Sequence, residues 1–259
     1  MSIENIKEQN KAYWNRRAAT YSDVNKEELE GIQHNKWSAF LDDEIQKVYS
    51  GVKKKEEIKI LDVGAGPGFI SIVFSELGYS VTAADLSEDM LAEAKKNAGS
   101  RAEKICFRKE DATDLSFEDE SFDVVFSRNL TWNLPDPQKA YSEWLRVLKK
   151  NGCLLVFDAN WYAYLRDEEK KKEYENDRQN VAEQGLGDYN LGENFDVMEE
   201  IAENLPLTGV ERPSWDRVIL ERLGASNVNM TEDIGSVVYS EKEKINYAST
   251  PLFMIKAVK

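Results

Sequence analysis

Ile58-Lys59-Ile60-Leu61-Asp62-Val63-Gly64-Ala65-Gly66-Pro67-Gly68-Phe69 is the stretch on which the reading of this chain turns. Its first six residues form a short, mostly apolar run that stops directly at glycines, the pattern of a buried strand feeding a tight loop. Phe69, Ile70, Ile72, Val73 and Leu77 then recur at helical spacing until Gly78, where a helix C-cap is expected. Strand, glycine loop and helix in that order let backbone approach a ligand closely, since a Cβ at Gly64, Gly66 or Gly68 would intrude on it. A nucleoside-containing cofactor is implied. The dinucleotide pattern G-x-G-x-x-G wants its third glycine at position 69, where this chain has Phe69, so a nicotinamide cofactor is the weaker reading.

Moving outward, Ser80 to Ala84 reads as a second strand closed by Asp85. Ser87, Glu88 and Asp89, with Met90, Leu91 and Ala94 at helical spacing, open a second helix. Lys104 to Arg108 gives a third strand ending at Glu110-Asp111, and Phe122 to Ser127 a fourth. Pro137 to Lys150 carries Ala140, Trp144, Leu145 and Leu148 on one face and predicts a helix stopped by Asn151-Gly152, followed by a fifth strand over Cys153 to Phe157. This alternation predicts an α/β fold: a doubly wound, seven-stranded, mostly parallel sheet with right-handed connections.

After Asp158 the pattern breaks. Asp167 to Gln184 is charged almost all round, Gly185, Gly187 and Gly192 follow, and Phe195, Val197, Met198 and Ile201 give a short apolar stripe. Residues 161–213 are therefore expected to form a helical cap inserted after strand 5. A helix near Trp215 to Leu223 and two antiparallel strands near Ala225–Thr231 and Leu252–Val258 complete the core over 214–259. Ahead of the cofactor-binding core, 51–160, Trp14, Ala18 and Tyr21 at i, i+4 and i+7 predict an amphipathic helix, and residues 1–50 are expected to be a helical lid.

Composition removes several classes. Lys and Arg number 34 against 48 Asp and Glu, and a net charge of -14 repels a phosphate backbone, so no nucleic-acid partner is expected. No basic segment precedes an apolar stretch at the start, and nowhere do eighteen apolar residues run together. The expected location is cytoplasmic, with no membrane partner. Cys106 and Cys153 lie far apart and His34 is the single histidine, so neither a disulfide framework nor a metal site is expected.

A carboxylate at the end of the second strand, Asp85, is placed to accept from both hydroxyls of a ribose. Asp111-Ala112 at the end of the third suits an exocyclic adenine amino group, which only donates. Three successive strand ends carrying Asp62, Asp85 and Asp111 suit a ligand with ribose, adenine and ammonium groups. They suit a sulfonium too, which has no phosphate and needs no basic clamp.

The segments Val63 to Gly68, Ala84 to Met90, Glu110 to Leu115, Phe122 to Ser127 and Trp144 to Gly152 together resemble the class I S-adenosylmethionine-dependent methyltransferase family, over about residues 10–160, with weaker similarity in the last strands. The resemblance implies S-adenosyl-L-methionine as cofactor and S-adenosyl-L-homocysteine as product. By it, Asp62 and the loop residues Gly64, Ala65, Gly66 and Gly68 hold the amino-acid part, and Asp85 holds the ribose. Leu86 and Met90 surround the adenine, and Asp111 and Ala112 meet its edge. Tyr13 to Tyr21 resembles the opening helix of small-molecule members, with Tyr21 closing over the cofactor. Asn129 falls beside the transferable methyl, where it could hold the cofactor's amino group, and Trp132 lines the acceptor cavity. Asp158, Asn160 and Tyr162 end the fifth strand as acceptor contacts, and Asp158 or Tyr21 is the candidate general base. The expected activity is methyl transfer to a small-molecule acceptor. A non-catalytic S-adenosylmethionine-binding protein, an NAD(P)-dependent oxidoreductase and an aminopropyl transferase remain open alternatives.

Overall fold

The computed structural model describes residues 2–190 and 195–259, so Gly192 lies outside the described residues. Two helices come first, α1 (Ile3–Glu30) and α2 (Ile32–Tyr49). The core then alternates: β1 (Lys59–Val63), α3 (Phe69–Glu76), β2 (Ser80–Asp85), α4 (Glu88–Ala98), β3 (Ile105–Lys109), β4 (Phe122–Arg128), α5 (Pro137–Val147) and β5 (Leu148–Asp158). The insertion contributes α6 (Glu168–Glu183) and α7 (Phe195–Ala202). The chain finishes with α8 (Ser214–Arg222), β6 (Ser226–Thr231), α9 (Gly235–Val238), α10 (Glu241–Asn246) and β7 (Phe253–Val258).

The seven strands lie in the order β3-β2-β1-β4-β5-β7-β6, with β7 antiparallel to both of its neighbours and the other pairs parallel. The order reverses beside β1, and such a switch point opens a crevice at the strands' carboxyl ends. Successive residues of a strand face opposite sides, so Ile60 and Leu61 belong to different layers. One layer packs Trp37, Leu41 and Ile45 of α2 with Val73 and Phe74 of α3 against Ile60, Phe126 and Phe157. The other packs Tyr141 and Trp144 of α5 and Leu220 of α8 against Leu61, Val125 and Val156. A third, smaller core joins Ile6 and Tyr13 of α1 to Trp132 and to Met198 and Ile201 of α7.

Two expectations change. Within residues 1–50 α1 and the first turn of α2, at Gln33, reach the carboxyl edge, while the rest of α2 is a layer of the sheet core with Trp37, Leu41 and Ile45 fully buried. The helix expected to reach Lys150 ends at Val147, and β5 begins at Leu148, which pairs with Phe122 across a bulge before Cys153 meets Val124. Leu148 follows Trp144 by four residues, so helical periodicity alone could not tell the two apart. The break comes at Leu148, whose ψ of 135° is extended, and the next residue, Lys149, pairs with Asp123. Asp167 to Gln184 is the solvated helix its charges suggest, whereas the link between β6 and β7 carries α9 and α10, which no pattern announced. Cys106 is exposed on β3 and Cys153 buried, and His34 sits 2.5 Å from a Glu76 carboxylate oxygen. Among the described residues no helix is long and apolar enough to cross a membrane, and no group of three or more His, Cys, Asp or Glu could hold a metal ion.

Candidate functional site

The glycine loop follows β1 with all three glycines at positive φ, 71°, 53° and 93° for Gly64, Gly66 and Gly68, a region costly for side-chain-bearing residues. Their surroundings differ. A Cβ on Gly64 would come within 2.7 Å of Leu130, and one on Gly68 within 2.9 Å of Ala94, so those two serve packing. Around Gly66 the nearest atom would be a Tyr21 ring carbon at 3.9 Å, which leaves room for a ligand against bare backbone. The Gly66 amide donates to Asp85 Oδ2 at 2.9 Å and the Ser87 amide to Asp85 Oδ1 at 2.8 Å. Each carboxylate oxygen keeps a free lone pair, so the side chain can accept further bonds. Burial raises the Asp85 carboxyl above its usual range, against the opposing amides of Ser87, Gly66 and Leu86.

A cleft of about 960 Å³, open to solvent, runs along these strand ends. Gly64, Gly66, Asp85, Leu86, Met90, Asp111, Ala112, Asn129 and Tyr21, all named from the sequence as cofactor contacts, line it together. Asp111 is not idle: it pairs with Lys7 of α1 and accepts from the Thr113 amide at 2.9 Å. Burial would raise its carboxyl, but the bonds from Lys7 and Thr113 outweigh burial and hold it below the usual range. Asp62, Ala65 and Gly68 fall behind the cleft wall. Asp62 is 2 % exposed and accepts from Ser71 Oγ at 2.6 Å, so it braces the loop from the rear; burial lifts its carboxyl to about 7, opposed by Ser71 and Arg128.

A second cavity, about 1280 Å³ with its open mouth, lies between α1, the insertion and α10. Aromatic rings make most of its wall, Trp132 and Tyr162 among them, with ring centroids 5.2 Å apart. Cleft and cavity share four residues: Trp14, Tyr21, Arg128 and Asn129. Asn129, at φ 55° just past β4, has a buried side-chain oxygen with no hydrogen-bond partner, a group that ordinarily finds one. Arg128 donates to both Glu28 carboxylate oxygens at 2.8 and 2.9 Å and lies over the Trp37 and Phe69 rings at 5.3 and 5.0 Å.

Asp158 and Asn160 are corrected by the structure. Asp158 is fully buried, lines neither cavity, and accepts from Arg212 at 2.8 Å, from the Trp132 amide at 2.9 Å and from its neighbour Ala159. With its oxygens taken and no opening to an acceptor, it anchors the turn that carries Trp132 and is no general base. Asn160 exchanges two bonds with the Arg212 backbone, at 2.9 and 3.1 Å, and also lies off the cavity wall. Tyr21 keeps its place in both walls, but burial holds its phenol above the normal range despite the nearby Arg128, so it stays protonated near neutrality.

What the sequence reading missed comes mainly from α1. Lys7, Asn10 and Trp14 join the expected Tyr21 in lining the cleft, while Arg17, Val24 and Glu28 line the cavity. Asn10, Trp14, Arg17, Tyr21, Val24 and Glu28 form an i, i+3/i+4 ladder, a signal present in the sequence but too polar to stand out as a stripe. The same helix ties down the loop, since Asn25 Oδ1 accepts from the Phe69 amide at 3.2 Å at the start of α3.

Comparison with known proteins agrees with this geometry. Residues 61–156 match the family model described as a methyltransferase domain. A demethylmenaquinone methyltransferase of Clavibacter sepedonicus is 39% identical over 98 residues, 38% of this chain and 40% of its own. The ubiquinone/menaquinone biosynthesis C-methyltransferase UbiE of Zymomonas mobilis is 32% identical over 153 residues, 58% of this chain and 60% of its own. The chain thus spans between two-fifths and three-fifths of the length of these relatives. Among solved structures, the Haemonchus contortus phosphoethanolamine N-methyltransferase 2 complexed with S-adenosyl-L-methionine shares the fold with TM-score 0.56 and 20% identity, over 83% of this chain and 51% of that one.

Proposed function

We propose that this chain is a class I S-adenosylmethionine-dependent methyltransferase that moves the methyl group of S-adenosyl-L-methionine to a small-molecule acceptor held in the aromatic cavity. The observation that carries the reading is the shared wall: a cleft edged by Asp85 and bare Gly66 backbone meets a ring-lined cavity at Trp14, Tyr21, Arg128 and Asn129. The residues of the cleft fit this cofactor. Gly66 leaves room against backbone, Asp85 has acceptor capacity for two ribose hydroxyls, and the unpartnered oxygen of Asn129 suits an ammonium group. Leu86 and Met90 offer apolar walls to a purine, with Asp111 and Ala112 at its edge.

When bound, the cofactor would supply an electrophilic methyl on a sulfonium, whose carbon an acceptor lone pair can attack in line as the S–CH3 electrons return to sulfur and S-adenosylhomocysteine leaves. The protein's share is alignment and exclusion of water. Trp14 and Tyr21 from α1 wall the junction of cleft and cavity, and Trp132 and Tyr162 wall the cavity on its acceptor side. Their π-rich rings also suit a neighbouring positive charge. No side chain at the junction is poised as a strong base, since Asp158 is sealed and Tyr21 stays protonated. A comparison of thermal unfolding with S-adenosylhomocysteine and with NADH tests the reading. Ligand at a hundred times its Kd should stabilise the fold by about 2.7 kcal/mol. Stabilisation by S-adenosylhomocysteine alone is expected; stabilisation by NADH alone refutes it.

A further inference from the structure

The charges around the aromatic cavity do not balance. Arg128 is taken up by Glu28, whose two carboxylate oxygens both accept from it. Glu243 of α10 is only 7 % exposed and lines the same cavity. One of its oxygens, Oε2, accepts from Gln33 Nε2 at 2.9 Å and from the Ser240 amide and hydroxyl at 2.7 Å each. The other receives no donor, and no Lys, Arg or His pairs with this carboxylate among the described residues. Buried carboxylates are normally matched by a cation, because desolvating an unmatched charge is costly.

Rings gather at the same corner. Tyr239 and Tyr247 have centroids 5.6 Å apart, and Tyr189 stacks on Tyr247 at 6.0 Å. Burial chiefly holds the Tyr239 and Tyr247 phenols protonated, with the Glu243 charge the next cause for Tyr239 and a smaller one for Tyr247 behind Tyr239 and Tyr21. Of the other nearby cations, Arg17 lines the same cavity, Lys242 rests over the Tyr189 ring at 4.1 Å and Lys36 donates to the Tyr239 carbonyl, and none of the three pairs with Glu243.

We propose that the methyl acceptor carries an organic ammonium group, received between the free oxygen of Glu243 and the rings of Tyr239 and Tyr247. A carboxylate supplies the counter-charge, and the rings supply the cation–π attraction that favours a weakly hydrated ammonium over a metal ion. A neutral flat acceptor would stack as well but would leave Glu243 buried without a counter-charge. The inference rests on reading the cavity as the acceptor site.

The test uses the full chain saturated with S-adenosylhomocysteine, choline as the ammonium probe and 3,3-dimethylbutan-1-ol as its neutral isostere, followed by the fluorescence of Trp14, Trp132 and Trp161. Choline should bind saturably and about tenfold more tightly than the alcohol. That preference should vanish in Glu243→Gln while affinity for S-adenosylhomocysteine stays. Gln keeps an acceptor for Ser240, and should the variant fail to fold, Tyr247→Leu must weaken choline more than the alcohol. Equal binding of the two probes, or no choline binding by a chain that does bind S-adenosylhomocysteine, overturns the inference. A chain that does not bind S-adenosylhomocysteine overturns the cofactor reading, and this inference falls with it.

Discussion

Replacing Asp85 by alanine removes the carboxylate that links the glycine loop to the α4 N-terminus and faces the cleft. In the free protein it accepts from the Gly66 and Ser87 amides at 2.9 and 2.8 Å, and both amides can turn to water in an open cleft once the side chain is gone. The fold should therefore survive. What is lost on binding is two charge-assisted bonds from ribose hydroxyls, each worth about 1.5–3 kcal/mol before the loop's own looseness is counted. Some of that gain is offset by desolvation, since burial already raises the Asp85 carboxyl. A net loss of roughly 2–4 kcal/mol is expected, or about thirtyfold to several hundredfold in Kd for S-adenosylhomocysteine by isothermal titration calorimetry. Affinity should also fall as pH drops through the raised Asp85 pKa, because protonation removes an acceptor that the ribose needs. A folded Asp85→Ala protein with unchanged Kd refutes the assignment of this carboxylate to the ribose.

Asp62 gives a stability prediction of opposite sense. Its carboxyl, lifted to about 7 by burial, binds a proton in the folded chain that the unfolded chain has already released near pH 4, so its contribution is present at low pH and lost as pH rises toward 7 and beyond. Asp62→Asn should flatten that slope, its advantage over the parent growing by roughly 2–3 kcal/mol between pH 5 and pH 8 in urea unfolding; parallel curves contradict it. Asp158→Ala leaves Arg212, 1% exposed at its side chain, with only Asp216 as partner, and should cost about 3–5 kcal/mol of unfolding free energy; a change under 1 kcal/mol contradicts its structural role. Tyr21→Phe keeps the ring between cleft and cavity, so turnover should fall far less than the roughly hundredfold or more expected from removal of a general base, whereas Tyr21→Ala should weaken cofactor and acceptor binding together.

Much of the cofactor cleft was legible because its parts sit at consecutive strand ends. Gly66, Asp85 and Asp111 each follow an apolar run that announces its own strand, and parallel packing brings those ends together. The same logic overreached at Asp158. Its position at a strand end is real, but Arg212, 54 residues further on, folds back and consumes it. Position alone cannot say whether a carboxylate faces a ligand or a buried guanidinium. Asp62 shows the same limit over a shorter range, since Ser71, one turn into α3, turns it away from the cleft. The aromatic cavity was least legible because its wall comes from α1, the insertion and α10, and only the fold brings them together. Glu243 lies in a segment that looks like a plain connection, and Arg128 meets Glu28 across 100 residues.

The most direct test of the whole account is a crystal structure of the chain with S-adenosylhomocysteine. The account predicts the ribose hydroxyls on Asp85, the purine between Leu86, Met90 and Ala112, and the sulfur at the junction of Trp14, Tyr21 and Asn129, facing the aromatic cavity. Density for the ligand elsewhere, or a sulfur turned away from that junction, contradicts it.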